Sequence, residues 1–247
     1  MTTMDPDADA SGRLGLVVPS SNTTAEPEFR HALPDDITVH GARMALESVT
    51  VDALDAMSDD AARAAELLGH ADVDAVAYAC TTGSLLHGPG FDAELETRLQ
   101  EAAGVPAVAT ARSVVRALEA LDADRIAVLT PYTADLDEKE RAFLEAAGFE
   151  VATIEGRGIE ANTEIGALTP ADATRQVETS LGDAAIGDDV DAVFVSCTNY
   201  RSLAAVSGLE ATLEVPVITS NGATLWDVCG VAGVDCDGPG VLFDREP

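Results

Sequence analysis

The feature that most constrains this chain is a segment it carries twice. Residues 75–86 read Ala-Val-Ala-Tyr-Ala-Cys-Thr-Thr-Gly-Ser-Leu-Leu, and residues 192–203 read Ala-Val-Phe-Val-Ser-Cys-Thr-Asn-Tyr-Arg-Ser-Leu. Each is a short apolar run that stops at Cys-Thr and passes through small polar residues into a new apolar segment. Apolar runs without alternation are the pattern of strands buried on both faces of a parallel sheet. A second pair recurs in step with the first: Val105-Pro106-Ala107-Val108-Ala109 and Val215-Pro216-Val217-Ile218-Thr219. The repeat is a whole domain long, not a solenoid period. Strands alternating with helices give parallel α/β sheets. The expected architecture is two pseudo-symmetric α/β domains, each a four-stranded parallel sheet flanked by helices, with a cleft between them.

In chain order the pattern predicts strands at residues 14–18, 37–44, 73–80 and 105–109, then again from Arg125 and at 150–154, 190–197 and 215–220. Helices are expected at 26–33, 51–68, 91–103, 111–121, 136–147, from Thr169, and at 202–213 and 223–231. Residues 156–168 read as a long polar loop. The expected division is an acidic disordered tail over 1–12, a first domain over 13–113 and a second over 114–220. Segment 221–247 returns to complete the first. A chain of 247 residues has room for two such cores.

Charge narrows the partners. The 14 Lys+Arg against 44 Asp+Glu leave a net charge of −30, and Lys139 is the only lysine. Nucleic acid and anionic membranes are repelled by such a field. The acidic excess runs along the whole chain, including Asp5–Asp9, Asp35-Asp36 and Asp188-Asp189. It suits a halophilic protein, whose self-repulsion is screened in a high-salt cytoplasm. No apolar run approaches the roughly 20 residues of a membrane span, and residues 1–12 hold no apolar signal segment. The expected location is cytoplasmic, and the expected assembly a homodimer or higher homo-oligomer. Four cysteines are too few for a disulfide framework. No zinc-type spacing of Cys and no i, i+4 His pair occurs, so no metal is expected. With no G-x-G-x-x-G after the first strand and no Walker loop, no nucleotide cofactor is expected either.

Cys80 and Cys197 carry the chemistry. A lone cysteine at a strand end is ordinarily a small buried hydrophobe. Two at equivalent points of a repeat, each followed by Thr and the start of a helix, argue for a site. Ligands in parallel sheets bind at the carboxyl ends of the strands, so facing halves bring two thiols to one cleft. Helix N-terminal N–H groups there favour thiolate and bind anions. Ser21-Asn22-Thr23-Thr24 serves either as a helix cap or as a set of uncharged donors for a carboxylate. Tyr132 and Asn162 sit in loops, where composition alone gives turn and surface roles. Gly83 fits a backbone turned toward a ligand. Cys229 and Cys236 lack this context and read as structural.

These residues together resemble the aspartate/glutamate racemase superfamily, and within it the maleate cis–trans isomerase and arylmalonate decarboxylase branch. The carriers are Pro19-Ser20-Ser21-Asn22-Thr23-Thr24 with Glu26, Ala77–Ser84, Thr130-Pro131-Tyr132, Ile159-Glu160-Ala161-Asn162, Val195–Thr198 and Ser220–Trp226. They cover almost everything after Gly12. The resemblance implies a cofactor-independent site between two α/β domains. It makes Cys80 the nucleophile and Cys197 the acid, and assigns substrate carboxylates to Asn22, Thr81, Thr82, Tyr132, Asn162 and Thr198. Amino-acid racemases of the superfamily carry an acidic residue in the first loop, and the glutamate enzymes a His after the second Cys-Thr. Here those places hold Asn22 and Asn199. The decarboxylases keep one cysteine of the two. The expected function is therefore cis–trans isomerisation of a small unsaturated dicarboxylate, maleate to fumarate. The alternatives are an amino-acid (aspartate, glutamate or hydantoin) racemase using the thiols as acid and base, and a non-catalytic dicarboxylate-binding protein.

Overall fold

The computed structural model describes residues 12–46, 48–58, 60–181 and 190–247. The tail expected over 1–11 and the acidic runs Asp5–Asp9 and Asp188-Asp189 lie outside the described residues. Gly12, placed in the tail by sequence, opens the first strand and pairs with Ile37.

The first half runs β1 (Gly12–Pro19), α1 (Ala25–Ala32), β2 (Ile37–Met44), α2 (Val51–Ser58), α3 (Ala61–Gly69), β3 (Ala75–Tyr78), α4 (Thr81–Leu85), α5 (Phe91–Ala103), β4 (Ala107–Ala109) and α6 (Thr110–Ala120). The second runs β5 (Arg125–Thr130), α7 (Ala134–Ala146), β6 (Glu150–Gly156), α8 (Asn162–Gly166), α9 (Pro170–Leu181), β7 (Ala192–Val195), α10 (Val206–Leu213), β8 (Val217–Thr219) and α11 (Ser220–Ala232). Each half forms a four-stranded sheet, ordered β2-β1-β3-β4 and β6-β5-β7-β8. All the strand pairs are parallel. The two orders are the same, so the repeat read from sequence is a repeat of topology.

Burial follows the sequence pattern. β3 and β7, the runs that lead into the cysteines, are buried at every position. β2 and β6, at the sheet edges, are only partly covered and carry polar residues. Two local expectations change and one is met. The helix expected over 51–68 is two, because Asp60 sits at the N-terminus of α3 instead of in a helix interior, where Asp is a poor helix former. The helix expected directly after Cys80 forms, as the five-residue α4. Another, α8, interrupts the polar loop expected over 156–168.

The two halves are locked by the helices that follow the Val-Pro strands. α11 is buried nearly all round from Ser220 to Cys229, the pattern of a core helix. Its Leu225, Val228 and Cys229 pack with Leu14, Leu16, Ala77 and Val108 of the first sheet. Ala223 and Trp226 pack with Phe194 and Ile218 of the second. Each such large side chain contributes roughly 1.5–3 kcal/mol by burial. Thr224 donates to Thr110 at 2.9 Å, joining α11 to α6. Arg116 on α6 pairs with Glu96 through two 2.9 Å bonds and with Asp227 of α11 at 2.6 Å. Among the described residues no helix is long and apolar enough to cross a membrane.

Candidate active site

Both cysteines sit just beyond the carboxyl ends of their strands, and both are buried. Their backbones differ. Cys80 is extended (φ −151°) and caps α4, so the N–H of Gly83 points at its sulfur. Cys197 has φ +92°, a left-handed conformation that costs a non-glycine residue on the order of 1 kcal/mol. No helix begins directly after it, contrary to the sequence expectation. A turn closed by Tyr200 N–H to Cys197 C=O at 3.1 Å follows, and helical structure resumes only at Leu203. The N–H groups that meet this sulfur come from that turn, Asn199 (3.4 Å) and Tyr200.

Position at a strand end also predicted thiolates, and here burial wins. Desolvation pushes Cys80 up to about 11, against the Gly83 N–H and the Thr82 hydroxyl that favour its charge. It pushes Cys197 up to about 12, against the Tyr132 phenol and Asn199 N–H. Near pH 7 both groups are thiols.

Asn22 resolves the two readings of its loop by serving both. Its carbonyl oxygen accepts from Thr24 N–H (2.9 Å) and Ala25 N–H (3.0 Å) at the start of α1. Its amide donates across the seam to Thr198 Oγ1 at 3.2 Å. Thr198 Oγ1 in turn donates to the Ala79 carbonyl at 3.0 Å. Asn162, at the start of α8, donates to Ser21 Oγ at 2.8 Å. Thr81 Oγ1 donates to Ser220 Oγ at 2.8 Å, and Ser220 Oγ accepts from Cys197 N–H at 2.9 Å. One serine thus ties the first Cys-Thr loop to the second.

All eight residues named from sequence line one small, nearly closed cavity with room for about one water (about 10 Å³): Cys80, Cys197, Asn22, Thr81, Thr82, Tyr132, Asn162 and Thr198. Pro19, Leu46 and Val49 add an apolar wall, and no Lys or Arg lines it. Tyr132 is buried beside Cys197, and burial drives its phenol well above the usual range, so it stays a donor. Two residues of the site were missed as such. Asn199 accepts from Thr23 N–H (2.9 Å) and donates to Asn162 C=O (2.7 Å) and Oδ1 (3.1 Å). Ser220 is the other, and the repeat pointed to it, since it follows its Val-Pro strand as Thr110 follows the first. Among the described residues no group of three or more His, Cys, Asp or Glu is placed to hold a metal. The arrangement is two thiols with neutral donors on either side, fit to hold a small diacid and to add and remove a proton at carbon.

A family model described as arylmalonate decarboxylase matches residues 14–243. The maleate isomerase of Pseudomonas putida is 33% identical over 230 residues, covering 87% of this chain and 89% of that one. The crystal structure of a maleate isomerase from Pseudomonas putida S16 with maleate superposes at a TM-score of 0.89, with 28% identity over 96% of this chain and 99% of that one. A Nocardia farcinica maleate cis–trans isomerase, solved as a cysteine-to-serine mutant with a covalently bound succinylcysteine intermediate, superposes at 0.85. It is 27% identical over 94% of this chain and 98% of that one.

Proposed function

The chain belongs to the arylmalonate decarboxylase family, and from that premise we propose that it is a cofactor-independent maleate cis–trans isomerase. The observation that carries the reading is the pair of thiols on one cavity, one from each half. A decarboxylase, with one proton to deliver, needs one thiol; addition across a double bond needs a nucleophile and an acid together, and Asn22 and Asn199 stand where racemases that also use two thiols carry acidic and His residues.

Cys80, once ionised, attacks one alkene carbon and forms the C–S bond. The π electrons move to the other carbon and into its carboxylate, giving an enediolate. Asn22, Tyr132 and the N–H groups after Cys80 are donors for that developing charge. Cys197 gives its proton to the carbanionic carbon. The central bond is then single and rotates. Cys197, now a thiolate, takes a proton back from that carbon, the double bond re-forms in the trans geometry, and Cys80 leaves. Protons and electrons return to where they began, so no redox partner is required.

Burial sets the pH dependence. Only ionised Cys80 attacks, and with its value near 11 the ionised share grows about tenfold per pH unit below that point. Cys197, near 12, keeps its proton over the same range. The expected kcat/KM for maleate therefore climbs steeply from pH 7 to pH 9; a flat profile would sink the scheme in which free thiolate limits the rate. The function itself is tested by proton NMR of the purified protein with maleate, where the fumarate vinyl signal is expected. Maleate left unchanged, with solvent deuterium entering an amino acid at its stereocentre, would turn the reading to racemisation.

A further inference from the structure

Tyr78 stands two residues before Cys80 in the strand that leads to it, so the pleat turns both side chains to one face. Its side chain is fully buried, and among the described residues its hydroxyl has no hydrogen-bond partner. A buried unpaired hydroxyl costs roughly 1–3 kcal/mol, a cost that phenylalanine in the same space would avoid. Rules of local consistency break most often where function asks for it.

The direction of the hydroxyl supplies the reason. A Cβ on Gly83 would lie 2.6 Å from the Tyr78 hydroxyl oxygen and 3.0 Å from the Cys80 sulfur. Phenol, thiol and the Met57 methyl, 2.9 Å from the same point, therefore converge on one spot, which is left to them because residue 83 has no side chain. The side-chain hydroxyl that meets the sulfur, Thr82 Oγ1, is 4.0 Å away, and either group can donate. A buried thiolate needs more than that, since charge out of water is stable only when hydrogen-bonded. Burial also keeps the phenol protonated, with Cys80 and Arg98 of α5 as the titrating or charged groups that act on it.

We propose that Tyr78 is a positioning residue for the nucleophile: its hydroxyl donates to the Cys80 sulfur as that sulfur becomes charged, across the opening kept by Gly83. The proposal rests on the reading of Cys80 as nucleophile. The phenol keeps its own proton throughout, so it changes the stability of the thiolate and not the stoichiometry of the reaction.

The test is Tyr78→Phe in the full chain, with three readouts. Alkylation of Cys80 by iodoacetamide, followed on its peptide by mass spectrometry, is expected to shift about one pH unit upward and to slow about tenfold at pH 8. The kcat for maleate is expected to fall about tenfold with KM within about twofold, the mark of a contact realised only after binding. The melting temperature is expected to hold or rise, because an unpaired buried hydroxyl is gone. Gly83→Ala, which puts a methyl between phenol and sulfur, should shift the alkylation profile the same way. An unchanged alkylation profile in Tyr78→Phe overturns the proposal. So does a variant that melts well below the parent, since the hydroxyl would then be a structural bond. Alkylation reads Cys80 without maleate, so a parent protein that leaves maleate untouched defeats the isomerase reading while this arm still decides the role of Tyr78.

Discussion

Cys80→Ala is expected to lower maleate turnover by on the order of 10,000-fold or more, the scale on which removal of a covalent nucleophile is felt. The other side chains of the cavity are poor substitutes, Cys197 because burial, raising it to about 12, keeps it protonated. The Thr81 hydroxyl is committed to Ser220, and a neutral threonine is a far poorer nucleophile than a thiolate. Cys197→Ser should stop the cycle one step later. Ionised Cys80 can still add, and the carbanion is quenched slowly from serine or solvent. The return step then lacks a base at that position, because serine at neutral pH has almost no alkoxide. A covalent succinyl adduct on Cys80 is the expected result, seen by intact mass as one added substrate and absent in the Cys80→Ala, Cys197→Ser double variant. A Cys197→Ser protein that turns over at the parent rate would rule out the two-thiol mechanism.

The second large effect is on stability. Glu140 on α7 is completely buried, and among the described residues neither carboxylate oxygen has a well-formed hydrogen bond, although Ser196 Oγ lies beside it. Burial raises it to about 8 from a usual value of 4.5. Glu28 on α1 is raised to about 7, chiefly by burial, against its bonds from Asn221 (2.6 Å) and the Leu203 N–H (3.1 Å). For an acid whose folded value lies above its unfolded one, the folded state holds the proton more tightly. Stability is then greatest at low pH within this window and is lost as pH climbs from about 4.5 through 8. At 1.36 kcal/mol per unit per proton, the two carboxyls together remove on the order of 4 kcal/mol between pH 6 and pH 9. The expected melting temperature is about 10 °C lower at pH 9 than at pH 6. Glu140→Gln should flatten most of that slope and melt later than the parent at pH 9. Equal melting at both pH values would show that these carboxyls are not charged at a cost. The pH that ionises Cys80 is thus the pH that loosens the fold around it.

How far the sequence reached follows from the range of each interaction. The sheets were legible because strands buried on both faces read as unbroken apolar runs, and the repeat divided them into two sets of four; their order within each sheet depends on crossovers that no run of residues spells out. The pairing of Cys80 with Cys197 was legible from the same repeat. The thiols' protonation was not, since local position predicts a helix N-terminus while desolvation depends on what the other half packs on top. Asn199 was read only as a departure from a racemase pattern. Its partners, Thr23 and Asn162, lie far away in the chain, and no local spacing reveals them. α8 is five residues long, too short for periodicity to mark.

The hydrogen bonds that join the halves are made by the very groups assigned to the substrate. Asn22 holds Thr198 and Asn162 holds Ser21; Asn199, outside that set, adds a bond from Thr23 and steadies Asn162 within its own half. Binding is therefore an exchange. An incoming anion takes a donor only by releasing that donor's present partner, and it must return as many bonds as it displaces. A diacid replaces the clasp at both ends at once. A monoacid releases one end and leaves the displaced groups there unpaired, at roughly 1–3 kcal/mol apiece. With no Lys or Arg in the wall, selection for two carboxylates then arises from competition with the protein's own contacts, and the ligand that enters becomes the bridge between the two halves.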